Sequence, residues 1–175
     1  MRGQFDEISS IGMFEQVSIA NYPTYFSSVN RLLRPGGLYL RHTIAWPAKR
    51  VYKAFAKLAK EYAALTRYIF PGGELDHLGM SVANLQQHGF EVHDVEGWRE
   101  HYARTCRLWH DKLLENQAAA EAVIGSVKTR LWLAYLVGCS LAFQRNTVGI
   151  FQPLASKRLI GLSELPPTRT NLCAD

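Results

Sequence analysis

The sequence predicts an α/β fold containing a parallel strand pair, and three stretches near the N-terminus carry that expectation. In FDEISSIGMFE, residues 5–15, the β-formers Phe5, Ile8 and Ile11 lead to a break at Gly12, after which an aromatic and a carboxylate, Glu15, follow at once. Behind Asn21, a residue suited to an N-cap, Tyr22, Tyr25, Phe26, Val29, Leu32 and Leu33 recur at helical spacing. Arg34, Pro35, Gly36 and Gly37 end that helix, and Leu38 to Ile44 makes a second short run of strand character. Strand, helix, turn and strand form one βαβ unit, which implies a right-handed crossover and parallel neighbours.

Glu15 follows the first strand and His42 ends the second, so neighbouring strands would bring both side chains to one edge of the sheet. In open α/β sheets ligands gather beyond the carboxyl ends of the strands, which places a carboxylate there to meet one. A plainer reading of Glu15 stands beside this one: acids also favour the first turn of a helix for dipole reasons.

From Ala48 to Tyr68 the pattern is helical, with Val51, Phe55, Leu58 and Tyr62 on one face and Lys49, Lys53, Lys57 and Lys60 around the other. Such a basic amphipathic helix is either an ordinary surface helix with solvated lysines or one that lies on an anionic membrane. YIFPGGELDH, residues 68–77, carries a Pro-Gly-Gly turn and then Asp76 as the expected N-cap of a helix to about His88, with Gly89 as its stop. Phe90 to Val95 alternates as a strand. Its neighbours His93 and Asp94 point to opposite faces, so they are read as surface positions and not as a shared site.

Gly97 to Tyr102 is a polar and aromatic loop entering a helix with Thr105, Leu108 and Trp109. One long helix is expected from about Ala118 to Phe143, its stripe of Leu131, Trp132, Tyr135, Leu136 and Phe143 read as core. Val148 to Ser156 closes as a strand, where Pro153 suggests an edge position or a bulge. The stretch 159–175, with Pro166 and Pro167, reads as a flexible tail behind a single domain over 1–158.

The bulk numbers exclude several classes. With 175 residues and 47% hydrophobic content the chain can bury one real core. A net charge of +5 and a pI near 9.2 admit an anionic partner, but no nucleic-acid motif is present. No apolar run is long enough to span a bilayer, and MRGQFDE holds no signal-peptide core. Cys106, Cys139 and Cys173 have no CxxC spacing, so neither a disulfide framework nor a metal site is indicated, and a reducing cytoplasm is the expected setting.

Taken in order, FDEISSIGMFE, RPGGLYLRHTIA, RYIFPGG, EGWREHYARTCRLW, GCSLAFQRN and IFQPLASKR resemble the cyclopropane-fatty-acyl-phospholipid synthase and mycolic acid cyclopropane synthase family of S-adenosylmethionine-dependent methyltransferases. The resemblance runs from about Phe5 to Arg158. It implies a Rossmann-like class I methyltransferase sheet with helices on both faces. It also implies methyl or methylene transfer to the cis double bond of unsaturated acyl chains in phospholipids, with a bicarbonate ion taking the proton that must be lost. Glu15, His42 and Tyr102 would then be the catalytic, bicarbonate-binding residues, with Ile44 offering its backbone, and Ser10, Ile11 and Gly12 would line the cofactor side. Residues 48–73 would correspond to a substrate-facing insertion, implying peripheral contact with the inner face of the membrane.

Two departures bear on this. Gln16 stands where the family usually has histidine. No GxGxG occurs, and the family's glycine-rich cofactor turn, its ribose-binding acid and its bicarbonate-site cysteine all precede the matched segment, Cys139 being no substitute. The chain is therefore expected to be the C-terminal portion of such a domain, lacking the first cofactor-binding strands. Two alternatives accompany that reading: a relative that methylates a soluble amine, and a non-catalytic fragment that binds lipid or completes a partner chain.

Overall fold

The structure, a computed structural model, describes residues 3–48, 67–163, 165, 166 and 168. It contains a four-stranded mixed sheet in the order β1-β2-β4-β3, formed by β1 (Phe5–Ile11), β2 (Leu33–Ala45), β3 (Phe90–Gly97) and β4 (Gly149–Lys157). β1 and β2 are parallel, as the βαβ reading requires, and β4 inserts antiparallel between β2 and β3. Helix α1 (Tyr22–Leu32) makes the crossover between β1 and β2. Asn21 precedes it without a side-chain cap bond, and Pro23 stands in the first turn, where its missing N–H costs nothing.

The expected turn at residues 34–37 lies inside β2. Leu33, fully buried, leaves the helix directly into extended backbone and pairs with Phe5, while the next pair is Glu7 with Leu38. Arg34 to Gly37 is therefore an excursion between two ladder positions. A Cβ at Gly37 would stand 2.9 Å from the carbonyl oxygens of both Arg34 and Asp6, so only glycine lets the strands close here.

Helices cover both faces of the sheet. On one side α1 and α2 (Leu78–Gln87) pack Phe26, Val29 and Leu85 against Tyr39, Phe90 and Ala155 of the strands. On the other, α3 (Arg99–Glu115) and α5 (Ser126–Gln144) pack Ala103, Cys106 and Phe143 against Val148, Ile150 and Ile44. Strand alternation sends Tyr39 and Arg41 of β2 towards α1, and His42 and Ile44 towards α3.

Several expectations need correction. The N-cap of α2 is His77, whose Nδ1 accepts from the Met80 N–H at 3.1 Å. Asp76 is drawn inward because its carbonyl accepts from Trp46 N, and its carboxylate is buried against the Ser81 hydroxyl. The single helix over 118–143 is two, α4 (Gln117–Ile124) and α5, separated by Gly125 at φ +81°, a conformation that no helix interior accommodates. Pro153 is in a central strand. The β2–β4 ladder steps from Leu40↔Leu154 to Thr43↔Phe151, so the proline has no partner in β2, while on its other side it pairs with Val95 of β3, whose bulge lies between Val92 and Asp94. That bulge turns His93 into a half-buried position whose Nε2 bonds Ser156 Oγ at 2.8 Å, so it is not a surface residue.

The basic helix expected over 48–68 falls on 49–66, outside the described residues; Arg67 and Tyr68 are helical. Most of the expected tail, 164, 167 and 169–175, also lies outside them, although Leu159 packs against Gly36. No helix among the described residues is long and apolar enough to cross a membrane, and none of their acidic, histidine and cysteine side chains form a metal-binding group.

Candidate active site

β1 delivers its chain end into a short turn, Phe14–Gln16, that carries Glu15 back across the ends of the strands. Phe14 anchors this turn: it is 1% exposed, with ring centroids 4.4 Å from Tyr22, 5.3 Å from Tyr25 and 5.6 Å from Phe26. With Phe14 fixed, Glu15 Oε1 accepts from the Ile44 N–H at 2.6 Å, and the Glu15 carbonyl accepts from Glu74 N at 3.0 Å. Among the described residues, Glu15 Oε2 is buried and has no hydrogen-bond partner. A carboxylate has about four lone-pair sites, so this oxygen can accept from a donor that the described residues do not supply.

His42 sits on β2 three residues before its end, 6% exposed, with its ring 5.1 Å from that of Tyr102. Tyr102 comes from the first turns of α3 and is braced by the rings of Phe143 and Trp109. His42 Nε2 and Tyr102 Oη are 2.8 Å apart, and Gln152 Nε2 lies 2.9 Å from His42 Nδ1. An amide nitrogen only donates, so Gln152 makes Nδ1 the acceptor and places the ring proton on Nε2, from which it is donated to Tyr102. The tyrosine's own proton is then free for a ligand.

Burial lowers the His42 pKa from the usual 6.5, and the Glu15 charge opposes this only in part. Burial, with Cys106 and Glu15 beside it, raises that of Tyr102. At neutral pH the arrangement is thus a neutral imidazole, a protonated phenol and a carboxylate oxygen, suited to holding a small oxyacid anion by both donors and acceptors. A depressed histidine binds fewer protons folded than unfolded, so the stability linked to it is present above pH ~6.5 and lost as pH falls through the folded value. The His42 ring resonances, followed by NMR against pH, are expected to titrate below 6.5; a midpoint at or above that value would contradict the burial seen here.

Of the residues singled out in the sequence, His42 pairs with Tyr102, and Glu15 with the Ile44 amide two residues further along β2, and the Glu15 charge is felt at both His42 and Tyr102. Ser10, Ile11 and Gly12 lie beside them at the end of β1, where Gly12 N donates to the His42 carbonyl at 3.3 Å. The Ser10 hydroxyl is buried and accepts from Tyr25, whereas Ile11 and Gly12 are exposed. Gln152 was missed; it lay inside the quoted IFQPLASKR block, but only the insertion of β4 beside β2 makes it a partner of His42. Trp132 and Tyr135 were read as core. They are partly open and form an aromatic cluster with Phe70, at centroid distances of 5.4 to 6.4 Å, and Tyr135 senses the Glu15 charge.

Comparison with known proteins identifies the family and the fold. The family model described as mycolic acid cyclopropane synthetase matches residues 1–153. A probable fatty acid methyltransferase of Pseudomonas putida is 40% identical over 97% of this chain and 43% of its own length. The cyclopropane-fatty-acyl-phospholipid synthase of Escherichia coli K12 is 29% identical over 90% of the chain and 39% of its own length. Among solved structures, the mycolic acid cyclopropane synthase CmaA1 complexed with SAH and CTAB superposes with a TM-score of 0.80 at 30% identity, covering 90% of this chain and 57% of that one. A phosphoethanolamine N-methyltransferase of Haemonchus contortus, 13% identical with a TM-score of 0.73, shares the fold alone. The chain spans about 40% of the length of these two curated relatives, and what it matches is the C-terminal portion of a class I methyltransferase fold. The chain belongs to the mycolic acid cyclopropane synthetase family.

Proposed function

We propose that this chain serves S-adenosylmethionine-dependent methyl or methylene transfer to the cis double bond of unsaturated fatty acyl chains in phospholipids. The observation that carries the proposal is the Glu15 carboxylate, pinned by Ile44 N through one oxygen and offering the other beside the His42–Tyr102 pair. That donor and acceptor set fits bicarbonate, an anion with oxygens to receive hydrogen bonds and one hydroxyl to give. When bound, bicarbonate would supply the base for the proton lost after the sulfonium methyl of S-adenosylmethionine has been transferred.

The residues of this chain do the holding. Tyr102 donates its hydroxyl proton to the anion, His42 keeps Tyr102 oriented, and Glu15 Oε2 accepts the anion's O–H and so fixes which oxygen faces the acyl chain. The partly open aromatic cluster of Phe70, Trp132 and Tyr135 offers apolar surface to an acyl chain, and a chain packed there would keep off the water that could capture a cationic centre. The exposed end of β1, at Ile11 and Gly12, is the surface assigned to the cofactor, and a lipid substrate assigns the protein to the cytoplasmic face of a membrane. The test is calorimetric titration of the folded chain with S-adenosylhomocysteine, followed by transfer of labelled methyl to vesicles of unsaturated phospholipid. Saturable binding and labelled lipid are the expected results; a folded chain that binds no cofactor would overturn the reading for this polypeptide.

A further inference from the structure

Both ring nitrogens of His42 are held in hydrogen bonds, Nδ1 to Gln152 Nε2 at 2.9 Å and Nε2 to Tyr102 Oη at 2.8 Å. Burial favours the neutral imidazole, so at neutral pH the ring has one proton for two bonds. The nitrogen without it must accept, and the other must donate. The role taken at Nδ1 therefore dictates the role at Nε2, and through it the role of the phenol one bond further on.

Strand register explains why Gln152 is the group at Nδ1. β2 and β4 run antiparallel, and the pairs Leu40↔Leu154 and Thr43↔Phe151 set a register in which Gln152 stands directly across from His42. Opposed residues of an antiparallel pair share a face, with Cβ atoms about 5 Å apart, a gap that a glutamine spans. On its other side β4 pairs Gln152 with Glu96 of β3, so the half-buried amide is carried by a central strand. Two hydrogen bonds thus run across three elements, from β4 through β2 to α3.

We propose that Gln152 is a positioning residue that sets the direction of this chain: its amide N–H donates to His42 Nδ1, His42 Nε2–H donates to Tyr102, and the Tyr102 hydroxyl proton is left for a ligand. The opposite direction, with Nδ1–H given to an acceptor at position 152, would draw the Tyr102 proton to His42 Nε2 and leave an anion facing only lone pairs. A primary amide supplies the neutral donor that the first direction needs, whereas a carboxylate of the same shape supplies only acceptors. The use of this chain in catalysis rests on the function proposed above; its direction does not.

The direction is read from the nitrogen-15 resonances of the His42 ring, because protonated and bare ring nitrogens resonate far apart. The 175-residue chain is labelled with 15N-histidine, and spectra are taken without cofactor or substrate at a pH above the His42 titration. Wild type is expected to show Nε2 protonated and Nδ1 bare. In Gln152→Glu the proton is expected to move to Nδ1, since the carboxylate there can only accept. In Gln152→Leu, Nδ1 stays bare and its resonance shifts downfield, as it does when a ring lone pair loses its hydrogen bond. A side chain that only filled space would leave the ring signals alike in all three. A protonated Nδ1 in wild type, or a proton kept on Nε2 alone in Gln152→Glu, would overturn the proposal. If Gln152→Glu does not fold, an unshifted Nδ1 in Gln152→Leu overturns it by itself. No step uses cofactor or turnover, so failure here is distinct from failure to bind S-adenosylhomocysteine.

Discussion

Glu15→Gln is expected to lower methyl transfer to unsaturated phospholipid by about 10²–10⁴-fold, the range associated with loss of a positioned acid-base group, while leaving S-adenosylhomocysteine affinity close to wild type. The substitution is nearly isosteric. The glutamine Oε1 can still accept from Ile44 N, so the turn at Phe14–Gln16 keeps its anchor, and Phe14 remains buried beneath it. What changes is the second atom. Where Oε2 offers a charged acceptor without a partner, the amide presents a donor, and an anion's hydroxyl would meet an N–H instead of a lone pair. The exposed end of β1 at Ile11 and Gly12, the surface proposed for the cofactor, is untouched. Labelled methyl transfer and calorimetry on the same preparation separate the effects: wild-type turnover would remove Glu15 from the anion site, and lost cofactor binding would move it to the cofactor side.

The parts of this arrangement legible in the sequence were those set by local pattern. Phe5, Ile8 and Ile11 before Gly12, then a helix-periodic run, specify a parallel pair, and the pair alone brings the Glu15 turn to β2. The role of Tyr102 was not legible from periodicity; it entered through the family resemblance, and the structure brings its hydroxyl to His42. Gln152 was illegible because its partnership depends on β4 lying between β2 and β3, a pairing that spans 110 residues from Gln152 to His42. Hydrophobic periodicity reports which face of a strand is buried, not which strand lies beside it.

Other misses were failures of resolution along the chain. Asp76 and His77 are both competent caps, and the choice between them was made by the Trp46–Asp76 backbone bond, a tertiary contact. Gly125 was read through as helix because one glycine in an otherwise helical pattern is tolerated as often as it breaks. Arg41 went unremarked because a charged residue between Leu40 and His42 looks like the solvent face of an alternating strand. In a strand covered on both faces there is no solvent side, and the arginine there lies against aromatic rings.

Phe26→Ala is expected to cost about 3–5 kcal/mol of unfolding free energy, the range for emptying a buried aromatic position. Phe26 has no exposed surface, and its ring is enclosed by Tyr25 at 5.3 Å, His88 at 5.4 Å, Phe14 at 5.6 Å and Tyr22 at 5.9 Å. Those neighbours come from α1, the residue after α2 and the Glu15 turn, so no single movement closes the cavity. The change also takes one of the two rings from beside the Arg41 guanidinium, at 5.6 Å, leaving the charge less well accommodated. Urea unfolding followed by tryptophan fluorescence would read the loss as a lower midpoint at an unchanged slope, since the surface exposed on unfolding hardly alters. A loss under about 1 kcal/mol, well below the large-to-small range, would mean that the aromatic cluster is not the packed support of the Glu15 turn. A full loss, with the Ile44 amide broadened before global unfolding, would show that the core under α1 and the acid at the end of β1 are held as one unit.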